Sequence, residues 1–176
     1  MINTLRANSE QELLEVWQHH VYSEFVLKDA ERALTTMSSD PYVLMVPIAT
    51  GGRGREGVLR FYRDYFLAQL PADIRPIAIS RVVGKDILVE EAVYQFTHDQ
   101  VMDWFVPGVA PTRKRVEIGV VAVINFESVK IASEHLYWDQ ASVLAQLGIL
   151  DPAKVPVKGA ETARTLLDWA AIETPE

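Results

Sequence analysis

The stretch VEIGVVAVINFESVKIASEHLYW, residues 116–138, decides the fold. Val116–Phe126 is rich in β-branched residues and long enough for a full strand. Glu127-Ser128-Val129-Lys130 is a polar break of turn length. Lys130–Trp138 then resumes as a strand whose alternation sorts its side chains. Ala132, Glu134, Leu136 and Trp138 share one face, and Ser133, His135, Tyr137 and Asp139 share the other. Two long strands joined by so short a turn run antiparallel.

The same texture extends upstream. Ile77–Val83 and Ile87–His98 read as strands around the turn Gly84-Lys85-Asp86, and a loop with Pro107, Gly108 and Pro111 leads on to Val116. Before Pro71 the pattern is mainly helical. Ser9-Glu10-Gln11-Glu12 reads as a capping box for a helix carrying Leu14, Trp17, Val21 and Phe25. Asp29 reads as the cap of a short helix with Ala33, Leu34 and Met37. Tyr42–Val46 reads as a strand ended by Pro47, and a third helix aligns Val58, Phe61, Tyr62 and Tyr65. Downstream, Asp139 opens a short helix that ends at Gly148, and a last helix aligns Ala163, Leu166, Leu167 and Ala170. Helices first and a strand meander after them predict an α+β fold, an antiparallel sheet with helices on one face. No repeat or linker divides the sequence, so residues 1–176 are expected to form one domain, with 171–176 a frayed tail.

Composition narrows the function. The 176 residues carry a net charge of −7, and their densest basic run is Arg113-Lys114-Arg115. No basic or aromatic surroundings support that run, so it reads as a solvated edge, and nucleic acid is not an expected partner. There is no cysteine, hence no disulfide, thiolate zinc site or cysteine nucleophile. No apolar run approaches the ~20 residues of a membrane span, and the N-terminus lacks a signal-peptide core, so a cytoplasmic protein is expected. His19 and His20 are adjacent and cannot share a helix face, which argues against a metal pair there. Neither metal nor cofactor is expected.

Gly52-Arg53-Gly54-Arg55-Glu56-Gly57 satisfies G-x-G-x-x-G. A dinucleotide fingerprint needs βαβ units around it, and none follow. The glycines read as a tight strand-to-helix reversal.

The tract Lys130–Gln140 resembles the last strand of the SnoaL-like polyketide-cyclase group within the nuclear transport factor 2-like superfamily. Gly54–Tyr62 resembles the opening of that fold's third helix. Phe96-Thr97-His98-Asp99, with Trp104, Pro107-Gly108 and Pro111-Thr112, resembles a bacterial subgroup associated by name with dienelactone hydrolase. The resemblance spans nearly the whole chain and implies a cone, a curved antiparallel sheet with helices packed on its concave face around one apolar pocket. It does not fix a reaction, because such folds host many chemistries. There is no G-x-[CS]-x-G elbow, so dienelactone hydrolase chemistry is not implied. The ketosteroid isomerase pair is also missing: Val46 precedes Pro47, and the second acid's place falls near Ala122.

In the resembling fold an aromatic at the Trp138 position closes the pocket's bottom, which places Glu134 inside. Burial there is expected to raise its pKa toward the range of a general acid or base; the alternative is a Glu paired to an arginine or a cross-strand neighbour. On Ile87–His98, the face holding Tyr94 and Phe96 is the expected concave side, with His98 at its rim as a helper. A bulge would instead turn Glu91 inward. Asp139 is a further candidate acid or, alternatively, a helix cap. Trp138, Tyr94, Phe96, Leu136 and Met45 are the expected walls, and Asp103-Trp104 a candidate lid. The sheet's outer face, with Ser133, His135 and Tyr137, is expected to form a homodimer. The expected function is cofactor-independent proton transfer on a compact apolar or aromatic metabolite: an isomerase, cyclase or lyase. A non-catalytic binding module with the same pocket is the alternative.

Overall fold

The computed structural model describes residues 4–172, with side chains from Glu10 onward. Its frame is a curved, unclosed six-stranded sheet in the order β2-β1-β6-β5-β4-β3. The strands are β1 (Met37–Met45), β2 (Thr50–Arg53), β3 (Arg75–Val83), β4 (Ile87–Thr97), β5 (Arg115–Glu127) and β6 (Lys130–Trp138). The helices are α1 (Thr4–Phe25), α2 (Ala30–Leu34), α3 (Gly54–Phe61), α4 (Gln140–Leu147) and α5 (Ala160–Trp169).

The long strands pair antiparallel, as the meander predicts, but β1 pairs parallel with β6, so the sheet is mixed. The parallel pair arises because β1 comes from the helical half of the chain and docks beside the last strand. It sets Val43 opposite Glu134. Throughout β4 and β5 the register is regular, with Glu90 opposite Ala122 and Phe96 opposite Val116. The irregularity lies in β3 between Ala78 and Ser80, so β4 keeps Tyr94 and Phe96 on the concave face. Glu91 stays on the outer face, where it accepts from the Ser80 hydroxyl at 3.1 Å.

Several local expectations are corrected. Helix α1 already runs from Thr4, so Ser9 lies within it and does not start it. Met37 opens β1, and the glycine-rich reversal contains a strand, β2, that pairs with β1. Beyond α3, Tyr62–Phe66 widens into a π turn. The extra residue in that turn buries Tyr62 and Phe66 and rotates Tyr65 out to 46% exposure. The end of the expected tail, residues 173–176, lies outside the described residues.

Helices α1 and α3 pack on the concave face, where Leu13, Trp17, Val58 and Phe61 join the main core. Not every helix does so. Helix α5 lies on the outer face, with Ala163 and Leu167 against Val93 and its neighbours Ile77 and Ile79. Arg164 anchors it by donating to both Glu117 carboxylate oxygens, at 2.6 and 3.2 Å. That ion pair holds the Glu117 carboxyl below its usual range. The first residues of β5 extend beyond its pairing with β6. There the Gln146 side-chain amide of α4 takes over, accepting from the Glu117 backbone N–H at 2.8 Å and donating to its carbonyl at 3.0 Å. A missing strand partner is thus replaced by one side chain.

The glycine motif has a packing explanation. A Cβ on Gly52 would stand 2.4 Å from the Gly57 carbonyl oxygen, so β2 and α3 approach too closely for any side chain. Gly54 turns the chain into α3 at φ +67°, in the left-handed region.

Candidate active site

The apolar stripe of α1 carries two polar side chains one turn apart. Leu13, Trp17, His20 and Glu24 follow one another at spacings of four, three and four, so all four face the sheet. Opposite them β6 presents Glu134, and the π turn after α3 brings in Tyr62. All these groups are buried.

They meet at one point. His20 Nε2 lies 3.0 Å from Glu134 Oε1 and 3.2 Å from Glu24 Oε1. The Tyr62 hydroxyl is 3.1 Å from the same nitrogen and donates to Glu134 Oε1 at 3.0 Å. On the ring's far side, Nδ1 lies 2.6 Å from Thr36 Oγ1, whose own hydroxyl donates to the Ala33 carbonyl. Thr36 therefore accepts from Nδ1–H, which leaves Nε2 to face the acids. Trp17 stacks on the imidazole, ring centroids 5.9 Å apart.

The electrostatics follow from burial and pairing. Burial alone would discharge His20, but Glu134 and Glu24 outweigh it and hold the imidazole pKa well above its ordinary value. Burial pushes the Glu24 carboxyl up, against the pull of the His20 cation. Tyr62 is also pushed up, by burial and then by the two acids, so it remains a phenol and a donor.

Glu24, Glu134 and Tyr62 line a cavity; His20 stands behind them. The walls include Trp138, Tyr94, Phe96, Leu136 and Met45, together with Phe66, Trp104 and Phe105. The cavity has a volume of about 40 Å³, room for roughly three waters. Trp138 packs on Phe105 at 5.1 Å, and Phe105 on Trp104 at 5.4 Å. The Trp104 segment is thus a fixed wall of the cavity in this structure.

Not all the candidates converge. His98 is fully buried away from the cavity wall: β4 ends at Thr97, and the next residue turns to bond Lys114 and Arg113 through its backbone. Its Nδ1 accepts from the Thr112 N–H at 3.3 Å, which leaves Nε2 buried with no hydrogen-bond partner among the described residues. Burial lowers its pKa. Asp139 caps α4, accepting from the N–H groups of Ala141 and Ser142 at 2.9 and 3.2 Å. Glu134 pairs with His20 and Tyr62; an acid held by an arginine is seen elsewhere on the sheet. That arrangement belongs to Glu90, which is held by Arg81 and by the Trp17 indole.

His20, Glu24 and Tyr62 were not singled out from the sequence. The legible signal was His20 with Glu24, an ionisable pair at i,i+4 on an otherwise apolar stripe; considering His20 with His19 hid it.

No protein-family model matches the sequence, and no curated protein matches it at a significant level. Solved structures do match. A Jannaschia protein assigned as a SnoaL-like polyketide cyclase superposes with a TM-score of 0.67 at 14% identity, covering 81% of this chain and 96% of that one. AclR from Streptomyces galilaeus, assigned as a hydroxylase, gives 0.62 at 17% identity, with 81% and 100% covered. A nuclear transport factor 2-like protein of unknown function from Burkholderia pseudomallei gives 0.59 at 14%, with 77% and 97% covered. The chain has the nuclear transport factor 2-like fold. No described helix is long and apolar enough to cross a membrane.

Proposed function

We propose that this protein is a single-domain, SnoaL-like proton-transfer enzyme, an isomerase, cyclase or lyase, that acts in the cytoplasm on a compact metabolite. The observation that carries this reading is the convergence of Glu24, Glu134 and Tyr62 on one apolar cavity, with His20 bridging the acids from behind. A pocket that only holds an apolar ligand has no need of two buried carboxyl groups, and burying them is costly unless they are compensated.

In this reading Glu134 takes a proton from the substrate. The Tyr62 phenol and the protonated Glu24 lie beside it to donate to the oxyanion that develops. Glu24 returns a proton at a second atom, which completes an isomerisation. The pair then resets: His20 Nε2–H gives its proton to Glu24 and Nε2 takes the proton held by Glu134, across 3.2 and 3.0 Å. His20 acts as a positioning residue and relay. His98 and Asp139 have no part in these steps.

The test is solvent deuterium exchange. A panel of compact carbonyl compounds, charged and neutral, is incubated in heavy water and read by NMR with wild type and Glu134→Gln. Exchange that needs Glu134 supports the enzyme. Binding without exchange in any member supports a non-catalytic module.

A further inference from the structure

We propose that the cavity selects a compact organic ammonium ion, a methylated or otherwise small alkylated amine, whose positive charge sits among the aromatic walls beside Glu24 and Glu134. The proposal deepens the reading above, because it names the substrate class of the same site.

Three observations lead there. First, the ionisable groups lining the cavity are acids and phenols. Glu24, Glu134, Tyr62 and Tyr94 reach it, and no lysine, arginine or histidine among the described residues lines it. Second, one imidazolium faces two carboxyl groups at 3.0 and 3.2 Å, so the cluster balances only while Glu24 keeps its proton. A ligand cation beside it eases the loss of that proton, and a ligand anion opposes it. Burial pushes the Glu24 carboxyl up, and a cation beside it would act in the opposite direction.

Third, the remaining walls suit a cation that cannot hydrogen-bond. About half of the lining side chains are aromatic, among them Trp17, Phe66, Tyr94, Trp104 and Trp138. Phe66 meets Trp104 edge to face at 5.0 Å, and Trp138 continues the wall through Phe105. Indole and phenyl faces attract an alkylammonium through their quadrupoles, and most strongly where water is excluded. A primary ammonium needs several acceptors, whereas an alkylated one presents methyl groups to ring faces. The small volume restricts the charged head to a few heavy atoms.

The experiment compares two molecules of similar shape and equal heavy-atom count, tetramethylammonium and tert-butanol. Binding is followed through the indole signals of Trp17, Trp104 and Trp138. Trp169, 84% exposed at the end of α5, serves as the internal control. Tetramethylammonium is expected to bind wild type about tenfold tighter or more, and Glu24→Gln to remove that advantage. Equal or tighter binding of tert-butanol would overturn the proposal. So would saturation by neither molecule, or an advantage that survives in both Glu24→Gln and Glu134→Gln. None of those results touches the proton-transfer reading, which fails separately if Glu134→Gln leaves deuterium exchange unchanged.

Discussion

His20 and Glu134 face each other at 3.0 Å, both buried, one from the first helix and one from the last strand. Neither position is self-sufficient. A carboxylate on β6 without the imidazole would be a buried, uncompensated charge, and the imidazole without its acids would be neutral.

That interdependence predicts opposite behaviour of two buried histidines. By nitrogen-15 NMR at pH 7, His20 is expected to carry protons on both ring nitrogens. His98, whose pKa burial lowers, is expected to be neutral with its proton on Nε2. A neutral His20 at pH 7 would contradict the cluster's charge assignment.

The stability profile follows in sign. A group whose pKa rises on folding binds its proton more tightly when folded. The His20 contribution is therefore complete below about pH 6.5, the unfolded value, and is lost as pH rises through the raised folded value. Glu24, also raised, acts in the same direction from about pH 4.3 upward. Urea melts should show wild type losing stability on the alkaline side, with a shallower loss in His20→Gln.

Glu134→Gln keeps the shape and removes the base. Turnover should fall by about 10²-fold or more. Tyr62→Phe tests a different group. It removes a buried donor to Glu134 and should cost about 1–3 kcal/mol of stability. If Tyr62→Phe unfolds at the wild-type urea midpoint, the hydroxyl is not holding the cluster.

Gly52→Ala should destabilise the fold by about 1–3 kcal/mol, because its Cβ would meet the Gly57 backbone at 2.4 Å. The glycines of the motif serve that close approach. Titration with nicotinamide and flavin cofactors should give no micromolar binding; saturation there would refute the packing account.

On the outer face, α5 covers Val93 and leaves the β1–β6 side open. There Tyr42, 38% exposed, and Tyr137, 44% exposed, flank His135, which lies 2.9 Å from the Tyr42 hydroxyl. A homodimer is expected through this patch. Light scattering that gives a monomer at high micromolar concentration would count against it.

Strand and turn patterns in residues 87–138 were legible because alternation is a local property, and so was the side of β6 that carries Glu134 and Trp138. The parallel β1–β6 pairing was not legible, since register between distant segments leaves no local mark. Tyr65 was placed inward with Tyr62 because a regular helical period was assumed, and the π turn breaks that period. His98 was assigned to the cavity rim on alternation that stops one residue earlier, at Thr97. The composition of the site was missed where it depends on tertiary structure: Glu24 on α1 becomes notable only once β6 sets Glu134 against the same helix face.

The parallel docking of β1 against β6 also fixes when the molecule can become itself. On the ribosome, α1 through β5 emerge with the concave face lacking its central strand, and β1 waits with one hydrogen-bonding edge unmet. Until β6 arrives, His20 lacks Glu134 and the cavity lacks Leu136 and Trp138. Folding is therefore gated by the late-synthesised segment and by long-range pairing, which is slow to form. A nascent chain stalled before Lys130 would expose an unpaired strand edge open to other chains.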